Sequence, residues 1–166
     1  MNDTPPEIIL GLDPGTATTG YGLVSRRGPR VACMTYGVIT TPAGKPIGQR
    51  LRTIYDAICA LLDRYRPSVM VIEHLFFGRN TTNALSVGRT VGIAMLAATQ
   101  REIPIVEYKP MEVKLSVVGY GHAEKEQVQF MIRQILGLSE IPKPDDAADA
   151  LALCITHAHT RRLPDH

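Results

Sequence analysis

The sequence predicts an α/β fold: a five-stranded mixed sheet, made of a three-strand meander plus two parallel strands, flanked by helices. Three observations carry this. Short apolar runs of strand length follow one another closely at the start of the chain. From residue 47 onward, such runs alternate with segments of helical spacing. A helical segment separates the opening strands from the next one, and a crossover of that kind joins parallel strands.

Residues 8–12 are an apolar run that ends at Asp13-Pro14-Gly15, a buried strand leaving through a turn. Residues 19–24 and 31–41 are rich in β-branched and aromatic residues and are separated by Arg26-Arg27-Gly28-Pro29; they complete the meander. Residues 47–65 carry Leu51, Ile54, Tyr55, Ile58, Leu61 and Leu62 at helical spacing. After Pro67, residues 69–72 form an apolar strand ending at Glu73. Residues 80–101 read as a helix and 103–106 as the fifth strand. Helical segments at 111–117 and 124–136 flank a Gly119-Tyr120-Gly121 loop. Pro142 and Pro144 precede a last helix, from Asp146 to about His159, with Asp145 as its N-cap.

At 166 residues the chain is read as one domain, 1–166, with 1–6 and 161–166 as flexible tails. A chain of this size buries about 69% of its surface, enough for a core without disulfides or structural zinc. Cys33, Cys59 and Cys154 are far apart and form no C-x-x-C pair, which suits a reducing cytosol. No basic region precedes the first apolar run, so no signal peptide is expected, and no apolar run reaches the ~18 residues that span a membrane. The formal charge is only +2, which taken alone argues against a strongly cationic nucleic-acid binder. That charge is uneven: residues 1–100 carry ten Lys/Arg against six Asp/Glu, and residues 101–166 carry eight against ten.

Acidic residues fall at the ends of the predicted elements. Asp13 and Glu73 close two strands expected to be parallel neighbours, and ligands of open α/β sheets bind outside such carboxyl ends. At ~4.8 Å between strands their carboxylates can meet on one ion. Asp146 and Asp149 are three apart near a helix start and share a face; Asp145 shares Asp149's face as well, so spacing alone leaves both open. Clustered carboxylates repel, and hard oxygen donors call for Mg²⁺ or Mn²⁺ rather than zinc. Two such ions suit in-line phosphoryl transfer by an activated water. Set against this, Asp13 before Pro-Gly also fits a plain turn residue, and Asp145 and Asp146 also fit a helix start. Asp149, a full turn into the helix among alanines, fits neither.

These residues resemble the RuvC-type Holliday junction resolvases. The resemblance runs through Ile8–Gly15 with Thr19-Gly20-Tyr21-Gly22, then Ile72–Phe76, then Val117–Lys125, and last Asp146–Ala152. The four motifs stand in order from about residue 7 to 159. The resemblance implies a ribonuclease H-like fold, a homodimer, and Mg²⁺- or Mn²⁺-dependent nicking of four-way DNA junctions. Paired cuts would leave ligatable 5′-phosphate and 3′-hydroxyl ends. It implies metal ligation by Asp13, Glu73, Asp146 and Asp149, two ions per site, and a RuvA–RuvB branch-migration complex as partner.

DNA contacts are expected at Lys114 and Lys125, which flank the glycine loop and match family lysines, and less strongly at Arg79, Asn80 and Arg89. Phe76-Phe77 beside Gly78-Arg79-Asn80 puts two aromatics at a polar loop; Phe76, which aligns with the family aromatic, is expected to stack on a junction base. Ala84, Gly88 and Gly92 at four-residue spacing, with Leu85, Met95 and Leu96, fit a two-fold dimer helix. Rival readings are an RNA-processing nuclease of the same superfold, an actin-like nucleotide-binding module and a non-catalytic junction binder. Setting the four acids aside leaves eighteen basic residues against twelve acidic ones, a basic surface around a metal-filled cleft.

Overall fold

A computed structural model of the protein describes residues 5–74 and 81–160. Its elements are β1 (Glu7–Asp13), β2 (Thr18–Arg27), β3 (Arg30–Thr40), α1 (Ile47–Tyr65), β4 (Val69–Glu73), α2 (Thr81–Thr99), β5 (Ile105–Tyr108), α3 (Pro110–Val118), α4 (Lys125–Leu136) and α5 (Asp145–Thr160). The sheet order is β3-β2-β1-β4-β5. β1 pairs antiparallel with β2 and β2 with β3, whereas β1–β4 and β4–β5 are parallel. The predicted meander plus two parallel strands is the observed sheet.

Alternation along the strands divides the core in two. Leu10, Leu12, Leu23, Met70 and Ile72 point to one face and are buried with Ile54, Ile58 and Leu62 of α1 and Val91, Ala94 and Ala98 of α2. Ile9, Val24, Val69, Val71 and Tyr108 point to the other and are buried with α3, α4 and α5. Every residue of α5 from Ala150 to Ala158 is buried. Such a helix, buried on all sides over this stretch, is a central core element, with its polar Thr156 and His157 hydrogen-bonded to the Ala152 carbonyl and the Tyr108 hydroxyl.

Two boundaries differ from expectation. The fifth strand is displaced by two residues, from 103–106 to Ile105–Tyr108. Helix α2 stops at Thr99 and its chain curls back: Glu102 adopts φ 56° and the Ile103 N–H donates to the Ala98 carbonyl. Ile103 therefore belongs to the helix exit, and pairing with β4 begins when Met70 donates to the Pro104 carbonyl. Asp145 is the second correction. It lies in the first turn of α5, and the Ala147 N–H donates to the Pro144 carbonyl at 3.0 Å. Its carboxylate turns away from the helix end, accepting from Gln129 Nε2 at 2.9 Å and meeting Lys125 Nζ at 2.8 Å.

Candidate active site

The register of the sheet brings three acidic segments to one place. Asp13 is level with Gly20 of β2. The β1–β4 pairing runs to Leu12 beside Ile72, so the next residues, Asp13 and Glu73, end adjacent strands at the same height. Alternation turns both side chains toward α5, the face that also receives Val71.

What lets α5 reach them is a lack of side chains. A Cβ on Gly20 would stand 2.0 Å from the carbonyl oxygen of Asp146, and one on Gly11 would stand 2.2 Å from that of Ala150. Any L side chain at either position would collide with helix backbone. The helix answers with Ala147, Ala148, Ala150 and Ala152, all buried. Glycine on the sheet and alanine on the helix place the α5 backbone against β1 and β2, so that the short carboxylates of Asp146 and Asp149 reach Asp13.

The result is a cleft of about 260 Å³ with Asp13, Glu73, Asp149, Lys114 and Lys125 in its wall, floored by Val113 and Val128. Asp146 does not line the cleft; its side chain hydrogen-bonds Asp13. Burial first, then the Asp149 charge, the hydrogen bond to Asp146, and the charges of Asp146 and Glu73 push the Asp13 carboxyl up to about 8. Glu73 is raised by burial and by Asp149, with Lys114 opposing. Asp149 is raised chiefly by burial, with Lys125 opposing. Among the described residues no group of three His, Cys, Asp or Glu side chains is set at metal-holding geometry. Asp13 shares hydrogen bonds with Asp146 and Asp149, and Glu73 joins them through charge alone.

Lys114 and Lys125, expected on either side of the glycine loop, both face the cleft. Lys125 is also tied to Asp145, an interaction that raises the lysine and lowers the acid. Asp145 itself is held by Lys125, Gln129 and Lys143 and does not line the cleft. Phe76, Arg79 and Asn80 lie outside the described residues.

Sequence reasoning missed two supports of the site. His74 Nδ1 lies 2.8 Å from Glu107 Oε2, joining the ends of β4 and β5 just past Glu73. Behind Asp13, Thr41 Oγ1 donates to the Thr16 carbonyl at 2.6 Å, Arg50 Nε donates to Thr41 Oγ1 at 2.9 Å, and the Thr16 and Ser86 hydroxyls share a hydrogen bond. The run of threonines after Asp13 was the available signal; its partners lie 25 and 70 residues away, out of reach of local pattern.

Comparison with known proteins is extensive. The family model described as crossover junction endodeoxyribonuclease RuvC matches residues 9–157. The chain is 51% identical over 153 residues to crossover junction endodeoxyribonuclease RuvC of Heliobacterium modesticaldum, covering 92% of this chain and 94% of that protein. It is 48% identical over 152 residues to the protein of that name in Dictyoglomus thermophilum, covering 92% and 96%. Among solved structures, RuvC of T. thermophilus in complex with Holliday junction substrate superposes with a TM-score of 0.90 at 37% identity, covering 94% of this chain and 95% of that one.

Proposed function

The chain belongs to the RuvC family of crossover junction endodeoxyribonucleases, with the ribonuclease H-like fold of that family, and from that premise we propose that its cleft hydrolyses one phosphodiester in each of two strands of a four-way DNA junction. One observation carries the reading: carboxylates from β1, β4 and α5 share a cleft in which burial and mutual repulsion hold them above their ordinary range. A donor set made only of hard carboxylate oxygens, with its anions raised in energy, fits Mg²⁺ or Mn²⁺. Asp13, Glu73, Asp146 and Asp149 would hold two such ions, which when bound supply a water of lowered pKa and offset the charge that builds on the phosphate.

The chain's own groups do the rest. Lys114, on the cleft wall, is positioned to neutralise the scissile phosphate. Lys125, divided between Asp145 and the cleft, tethers the start of α4 beside the acids. Attack in line with the 3′-oxygen leaves 5′-phosphate and 3′-hydroxyl ends that ligase seals. Phe76 is assigned to a base at the junction, and Arg79 and Asn80 to its phosphates.

A junction is roughly two-fold symmetric, so two clefts related by a dimer axis account for paired nicks. Leu85 and Leu96 of α2 are exposed, and a Cβ at Gly88 or Gly92 between them would meet nothing. These four residues make one open stripe at helical spacing, the surface that supports a homodimer through α2. Family membership extends the reading to a RuvA–RuvB complex as partner and to cytoplasmic work on DNA. Among the described residues no helix is long and apolar enough to cross a membrane.

The test is one gel. Labelled four-way junction and matched linear duplex are incubated with and without Mg²⁺, then with ligase. Ligatable paired nicks in the junction alone are the expected result. Asp13→Asn, Glu73→Gln, Asp146→Asn and Asp149→Asn should each abolish nicking while junction binding persists. Retained nicking in any two of them would remove the site assignment.

A further inference from the structure

A second cluster of exposed apolar side chains stands beside the cleft, on the opposite side of the sheet from α2. Met111 and Leu115 of α3 are 54% and 50% exposed, and Tyr120, just past the helix, is 57% exposed. We propose that Tyr120, together with Met111 and Leu115 of α3, is a platform for one nucleobase of the strand held in the cleft. The proposal rests on the junction-nuclease reading above and names a contact within it.

Helix geometry sets the platform against the cleft. Pro110, Val113 and Lys114 of α3 line the cleft. At ~100° per residue, Met111 and Leu115 occupy the adjoining strip, and Lys114 stands on the seam between the two. A strand whose phosphate meets Lys114 therefore has an apolar shelf immediately next to it.

The loop is built to present the tyrosine. Gly119 takes the left-handed conformation, φ 85°, and its N–H closes α3 on the Leu115 carbonyl at 2.8 Å. The Tyr120 carbonyl accepts from the Ala123 N–H at 3.2 Å, which pins the turn. Gly121 lies close on the shelf, where an added Cβ would be 3.1 Å from Met111 Cγ. The His122 ring packs edge-on to Tyr120, centroids 5.7 Å apart at 66°, and steadies the phenol ring.

An aromatic ring packed on a second ring, an exposed thioether and leucine beside the same loop and a lysine at the border match the two halves of a nucleotide: a stacking surface for the base and a cation for its phosphate. Stacking of a base on an aromatic ring contributes about 1–3 kcal/mol and tolerates any base, with preference set by stacking strength. The homodimer proposed above uses the α2 stripe on the other layer, which leaves this surface to the substrate.

The experiment uses the full chain. Junctions carrying 2-aminopurine at single positions around the nick are bound to the Asp149→Asn protein, which holds substrate without cutting it. One or two positions should change fluorescence on binding, and Tyr120→Ala added to Asp149→Asn should abolish that change. With Asp149 intact, Tyr120→Ala should raise KM for a junction about tenfold, the size of one stack, and level the preference among cut-site sequences. Tyr120→Phe, which keeps the ring, should restore both readouts. Unaltered KM, sequence preference and fluorescence in Tyr120→Ala would overturn the platform. So would a fall in sedimenting mass from dimer to monomer, which would assign the surface to a second copy. A wild-type chain that binds junctions but never nicks them would sink the catalytic reading and leave the fluorescence arm to decide the platform.

Discussion

On one face of the sheet α5 lies directly on Gly11 and Gly20; on the other, α1 and α2 are held away by Leu10, Leu12, Leu23, Met70 and Ile72. The first face gives up side-chain volume so that helix backbone meets sheet backbone. The gain is reach: a carboxylate only two bonds from its backbone can then bridge from α5 to β1. The second face is an ordinary apolar layer and, among the described residues, holds no clustered acids. Its outer helix instead leaves Leu85 and Leu96 exposed. In the function proposed above, chemistry and self-association are divided between the two sides of one sheet, so that each should be open to disturbance without the other.

The largest expected effect comes from adding volume where the first face has none. In Gly20→Val the new side chain meets the Asp146 carbonyl, whose oxygen is 2.0 Å from the Cβ position. Overpacking of a fixed core costs about 1–3 kcal/mol and more where backbone must move. Urea denaturation should show a loss of about 3 kcal/mol or more, with junction nicking abolished. Gly20→Ala covers the case in which the valine variant fails to fold, and should lose nicking with a smaller loss of stability. Gly44→Ala, at a position where a Cβ meets nothing, is the control and should match wild type. Normal nicking by Gly20→Ala would break the claim that close approach builds the site.

That claim also marks how much of the protein was legible in its sequence. The strands announced themselves by apolar runs, and their ends set Asp13 and Glu73 on neighbouring strands. Gly20 and Gly22 were visible only as part of a motif. Their reason, an α5 backbone within touching distance, appears only once a helix 126 residues later in sequence is in place. Asp145 was misread for a similar cause: a helix-start acid has a local explanation, and Gln129 and Lys125, the partners that outcompeted it, come from α4. The exit of α2 was unreadable because Glu102, a non-glycine residue, adopts positive φ there.

An intermediate effect is expected on the second face. Leu96→Glu places a charge in the exposed α2 stripe, where the monomer gains room for it. Sedimentation equilibrium should show monomers in place of dimers, while thermal stability measured at low protein concentration should change by no more than about 0.5 kcal/mol, as for other surface substitutions. Junctions should then receive single, unpaired nicks. A variant that remains dimeric would move the self-association surface elsewhere and break the division of labour between the faces.

The smallest effect tests the electrostatic cost of the first face directly. Asp13 holds its proton up to about pH 8 in the fold, against 3.8 ordinarily. Between those values the unfolded chain has released a proton that the folded chain keeps. The contribution of this group to stability is therefore fully present below pH ~4, declines as pH rises, and is lost above ~8. Asn cannot titrate, so Asp13→Asn should melt higher than wild type in EDTA, and the gap should be wider at pH 9 than at pH 5. A difference of several degrees is expected, at about 2–4 °C per kcal/mol for a chain of this size. Adding Mg²⁺ should reverse the order, because a cation that binds the folded carboxylates stabilises wild type and has lost a ligand in the variant. A gap independent of pH would mean that Asp13 carries no burial strain, and the contrast between a costly face and a stabilising one would fail at the carboxyl that burial raises most.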